Sequence, residues 1–91
     1  MDKQSIALKS EQFRREREDT WDALALLLDK IDRLGIRGID EGDLARLPIL
    51  YRSTVSSLSV ARAISLDLNL IRYLESLSAR SYIYVYGTRK R

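Results

Sequence analysis

Apolar positions recur at helical spacing along three stretches of this chain. In the first, Phe13, Arg17, Trp21, Leu24, Leu28 and Ile31 follow steps of three and four, and Leu27 and Leu34 widen the stripe. Ser10 stands where an N-cap belongs, and Gly35 marks the stop. The spacing predicts a helix over residues 10–34. The polar segment 1–9, with Ile6 and Leu8, is expected either to fray or to extend it.

The short loop 35–39 predicts that the next helix runs back antiparallel. Asp40 is a good N-cap for it, with Asp43 three residues on in the place a capping box gives to Glu or Gln. Leu44 and Leu47 are its first apolar residues. Pro48 either kinks this helix or begins a new one, and the preferred reading is one kinked helix over residues 40–64. Beyond the proline, Leu50, Thr54, Ser57 and Ala61 share one face, and Tyr51, Val55, Leu58 and Arg62 share the next. A helix that is small or apolar over both faces packs between two partners.

Leu66, Leu70, Tyr73, Leu74 and Leu77 form the last stripe, over residues 67–86. Ser65 or Asp67 is its candidate cap, and Gly87 suits an αL end. Tyr82-Ile83-Tyr84-Val85-Tyr86 has strand propensity. A lone strand has no partner here, so it reads as the last turns of the helix. The expected fold is an all-α antiparallel three-helix bundle, a single domain over residues 1–91. Its predicted core is Trp21, Leu24, Leu28, Ile31, Leu58, Leu70, Leu74 and Leu77.

Composition narrows the chemistry. The 91 residues include no cysteine and no histidine, which removes disulfides, the usual zinc sites, and triads built on imidazole. Arg89, Lys90 and Arg91 are three of the sixteen Lys and Arg, and without them the remaining thirteen balance thirteen Asp and Glu. The net charge of +3 is therefore a terminal feature. A nucleic-acid-binding three-helix module is the alternative function. The neutral body and the lack of a continuous basic helix face argue against it. The charged stretch 1–18 does not read as a signal peptide. The uncharged runs 23–28, 53–61 and 81–88 fall short of the roughly 18 residues of a span.

Asp40, Glu41 and Asp43 invite a cation, but their spacing is not that of a calcium loop, and capping accounts for them. The serines lack a histidine or a Ser-x-x-Lys neighbour to activate them, and read as close-packing residues. No catalytic residue, cofactor or metal is expected. Arg52, Arg62 and Arg80 have two readings. One is an anion or partner-protein contact. The other is internal pairing, with Asp22, Asp29, Asp32 and Glu75 as the candidate carboxylates.

Leu50-Tyr51-Arg52, Leu58, Ala61-Arg62, Tyr73-Leu74, Leu77, Ala79-Arg80 and Tyr86-Gly87 together resemble the stage II sporulation protein M family. Phe13-Arg14-Arg15, Trp21, Leu24 and Leu27-Leu28 sit where that family's first helix carries similar residues. The resemblance spans about residues 13–87. It departs at Ser57, Glu75 and Tyr82, where the family pattern tends to Asp, Asn and His, so a site built from those groups is not reproduced. The matching Trp21, Tyr51, Arg52, Arg62 and Arg80 carry over as candidate partner or structural contacts.

The resemblance implies a non-enzymatic N-terminal segment on the cytoplasmic face of the membrane, ahead of a multi-span part, docking other components of a membrane assembly. On that view Tyr82, Tyr84, Tyr86, Arg89, Lys90 and Arg91 are membrane-proximal, since tyrosines favour the bilayer interface and basic residues flank its cytoplasmic side. Core tyrosines and a solvated tail are the other reading of the same residues. Independently of the resemblance, a small helical chain that is 45% hydrophobic is expected to leave apolar surface uncovered, for a protein partner or a second copy.

Overall fold

The computed structural model describes residues 3–64 and 66–87. It contains three α-helices, α1 (Lys3–Leu34), α2 (Glu41–Ala63) and α3 (Leu68–Tyr86), with no strand among the described residues. A 3-10 turn, Ile36–Gly38, lies between α1 and α2.

The first helix starts earlier than the capping pattern predicts. Lys3–Lys9 continue it upstream, and Ser10 is inside the helix rather than at its N-cap. With 32 residues at about 1.5 Å each, α1 runs about 48 Å, which is the longest dimension of the molecule at 48 Å. The helix closes at Gly35, whose N–H reaches the Ile31 carbonyl at 2.7 Å and whose φ of 78° disfavours any side chain. A Cβ at Gly38 would lie 2.9 Å from Leu34 Cβ, so the return turn requires a glycine there as well.

Asp40 caps α2, its carboxylate accepting the Asp43 N–H at 2.8 Å. The helix runs through Pro48 as one element. Proline has no N–H for the carbonyl four residues back, so Leu44 O loses its usual partner. Asp67 caps α3 by accepting the Asn69 N–H at 3.1 Å. The alternative cap Ser65 lies outside the described residues, as do Arg89, Lys90 and Arg91. Gly87 was expected in αL but sits at φ −66° and ψ −36°, in the right-handed region. Its N–H bonds the Ile83 carbonyl, so α3 finishes without the reversal a glycine permits.

The side-chain contacts give the register. Lys30 meets Asp43 and Arg17 meets Ser57, so α1 and α2 are antiparallel. Arg62 meets Glu75 and Tyr51 meets Tyr86, so α2 and α3 are antiparallel as well. Ser10 meets Asp67 and Asp32 meets Tyr84, so α1 and α3 run parallel. The second helix occupies the place its two faces predict. Ser57, on the first of those faces, meets Arg17 of α1, and Tyr51 and Arg62, on the second, meet Tyr86 and Glu75 of α3.

All eight predicted core residues are buried, joined by Phe13, Leu27, Ile39, Leu47, Ala61 and Leu66. Burying a leucine fully contributes about 1.5–3 kcal/mol, so Leu24, Leu28, Leu70 and Leu74 carry a large part of the fold. Two buried hydroxyls are satisfied within their own helix. Thr54 donates to Leu50 O at 2.9 Å, and Ser81 donates to Leu77 O at 2.8 Å.

Candidate functional site

The residues singled out from the sequence fall into three separate places. Trp21 is the innermost. It is buried, with ring centroids 5.9 Å from Phe13 and 6.4 Å from Tyr73. Its indole N–H has no hydrogen-bond partner, nor does the Ser78 hydroxyl. Trp21 is therefore a packing residue at the α1–α3 seam rather than a surface contact. The Tyr73 hydroxyl beside it is pushed up from its ordinary range, first by burial and then by the charge of Asp22.

Two of the three arginines are spent on internal pairs. Arg62 donates to Glu75 at 2.7 Å across α2 and α3. Arg80 donates to Asp29 at 3.2 Å and to Asp32 at 3.0 Å, joining α3 to α1. Tyr84 adds a hydroxyl bond to the other Asp32 oxygen at 2.8 Å. That bond is the main reason the Asp32 carboxyl titrates below the usual carboxylate range. The same bond is the main cause of a raised Tyr84 pKa. Tyr84 therefore belongs to a polar strap between helices. Arg52 is exposed.

The third place is the C-terminal end of α3. Tyr82 and Tyr86 are exposed there, with ring centroids 4.8 Å apart, and Tyr51 closes the triangle at 6.4 Å and 5.9 Å. Burial, followed by the neighbouring Tyr86 and Tyr82, raises the Tyr51 pKa. Ile83, 62% exposed, stands beside this cluster in the sequence. Exposed tyrosine rings and an exposed aliphatic neighbour form a surface with an apolar body and polar hydroxyls. Thr88, Arg89, Lys90 and Arg91 follow directly in the sequence.

Asp40 and Asp43 are occupied structurally, one as a cap and the other by Lys30 at 3.0 Å. No cluster of metal-ligating side chains is found among the described residues. None of their helices is long and apolar enough to cross a membrane.

Two features go beyond the sequence pattern, the first being the role of Arg17, which the pattern places only as a member of the first stripe. Arg17 lies over the Phe13 ring at 4.3 Å and donates to the buried Ser57 hydroxyl at 3.4 Å. Its step of four from Phe13 was the available signal. The other is an open hollow of about 220 Å³ between α1 and α2, lined by Ala23, Leu26, Leu27, Lys30, Asp43 and Arg46. Leu26 is in phase with Ala23 and Lys30, outside the core stripe, so a core-centred search passes over it.

A family model described as "Domain of unknown function (DUF8413)" matches residues 11–87. No curated protein and no solved structure matches the chain.

Proposed function

The chain belongs to the DUF8413 family, a domain of unknown function, and from that premise we propose that it is a non-enzymatic helical interaction domain that lies against the cytoplasmic face of a membrane. The observation that carries this reading is the end of α3. Tyr82, Ile83 and Tyr86 are exposed there beside Tyr51, and Gly87 and Thr88 alone separate Tyr86 from three basic residues in the sequence. Tyrosine rings partition to the headgroup region, and Lys and Arg favour an anionic leaflet. The resemblance to the stage II sporulation protein M family supports the same placement.

Each basic residue near an anionic leaflet contributes about 1 kcal/mol, so Arg89, Lys90 and Arg91 together contribute about 3 kcal/mol. The attraction weakens as salt shortens the Debye length. The test is co-sedimentation with vesicles of phosphatidylserine and phosphatidylcholine at low and high salt. The wild type is expected to pellet at low salt. Replacing Arg89, Lys90 and Arg91 with Gln, or Tyr82 and Tyr86 with Ser, is expected to reduce pelleting while leaving the helical spectrum unchanged. Equal pelleting by all three proteins, or none by any, would overturn the reading.

A further inference from the structure

The outward face of α1 carries a charge order that the lipid contact does not use. Leu8, Gln12, Glu16, Asp19, Ala23, Leu26, Lys30 and Leu34 recur at steps of three and four, so they form one stripe along the helix. Its first half is acidic, through Glu16 and Asp19. Its second half is basic, through Lys30 and the neighbouring Arg46 of α2, which share the single carboxylate of Asp43. The middle is small, at Ala23. Three leucines on the stripe are turned to solvent, Leu8 at 63%, Leu26 at 70% and Leu34 at 51%. Two hollows lie along it, one lined by Leu8, Glu11, Gln12 and Arg15, the other by Ala23, Leu26, Leu27, Lys30, Asp43 and Arg46.

We infer that this stripe is a self-complementary seam on which a second copy of the chain docks antiparallel. A two-fold axis crossing α1 at Ala23 places Glu16 of one copy opposite Lys30 of the other, because both are seven residues from the axis. The same operation brings Asp19 towards the partner's Lys30–Arg46 end and Leu34 towards the partner's Leu8–Gln12 hollow. Ala23 meets Ala23, where a small side chain allows close approach of the two helices. Glu16 then faces Lys30 twice over, as an isologous contact requires, while Asp19 lies opposite Leu27, one turn from the partner's Lys30. In a parallel pairing like charges would coincide along the whole stripe, so the charge order selects one orientation. A single-helix seam buries less than a standard interface, so the dimer is weak and concentration-dependent. It uses a different face from the tyrosine cluster and stands independently of the lipid contact.

The test is sedimentation equilibrium of the full chain at low salt, without lipid, over a wide concentration range. The wild type is expected to move towards twice the chain mass as concentration rises. E16K/D19K and K30E/R46E are each expected to lose this association, because their own ends now repel. Mixed in equal amounts, they are expected to associate at lower concentration than the wild type, since each altered end meets its opposite. That recovery occurs only if both variants are folded, so a folding defect cannot imitate it. A wild type that stays monomeric, reversed variants that dimerise as the wild type does, or a mixture that stays monomeric would each overturn the inference.

Discussion

The Ser10 hydroxyl accepts the backbone N–H of Asp67 at 2.9 Å, across 57 positions of sequence. A residue in the second turn of α1 therefore satisfies a donor at the start of α3, where helical N–H groups have no partner within their own helix. Ser10 is 7% exposed, so little water reaches the bond. Ser10→Ala is expected to cost about 1 kcal/mol, and more if the stranded N–H stays dry. Urea denaturation followed by circular dichroism checks this. A change near zero would mean that the start of α3 is set by Asp67 capping alone.

Leu74 and Leu24 are fully enclosed. Either one changed to Ala is expected to lower stability by about 2–5 kcal/mol, the sum of lost transfer energy and residual cavity. Leu26→Ala on the solvent side of the same helix is expected to fall within about 0.5 kcal/mol of the wild type in dilute monomer. Chemical denaturation of the three variants at one low concentration tests the contrast. Equal losses at Leu24 and Leu26 would contradict the packing described above.

These residues also show what the sequence alone could place. Leu24, Leu28, Leu70 and Leu74 recur at steps of four and sit in long amphipathic segments bounded by Gly35 and Asp67, so periodicity identifies both helix and core. Ser10 was misread because its type and position suit an N-cap, and its real partner is a backbone group far along the chain, which no local pattern encodes. Gly87 misled in a similar way, since glycine permits αL without requiring it. Arg62 and Arg80 could be matched only to a set of candidate carboxylates, because the pairing depends on the register between helices. Tyr51, Tyr82 and Tyr86 were each visible as aromatics, yet their meeting required the antiparallel arrangement of α2 and α3.

Trp21 is the only tryptophan in the chain and is 1% exposed, beside Phe13 and Tyr73. Its emission is expected at short wavelength in the native state, with little quenching by iodide, and is expected to move to longer wavelength on unfolding. Tyr73→Ala opens one wall of this site and is expected to raise iodide quenching before any change in helix content. A native spectrum already typical of wet indole would place Trp21 at the surface and break the described α1–α3 seam.

The pair Asp32–Tyr84 makes stability depend on pH at both ends of the scale. The Tyr84 hydroxyl bond, ahead of the Arg80 contacts, lowers the Asp32 pKa from its ordinary 3.8. A depressed acid contributes stability that is complete above the unfolded value and is lost as pH falls through the folded one. The same bond raises the Tyr84 pKa above its ordinary 10.0. For that group the contribution is complete below the unfolded value and is lost as pH rises through the folded one. Tyr84→Phe keeps the ring and deletes the hydroxyl. The stability difference between wild type and this variant is therefore expected to be flat between about pH 4 and pH 10, and to shrink on both sides. Urea denaturation at a series of pH values reads it directly. Asp32→Asn should remove most of the acid-side change while leaving Arg80 its bond to Asp29. A difference between wild type and Tyr84→Phe that is constant across the whole range would mean that the hydroxyl acts only by packing, with no coupling to Asp32.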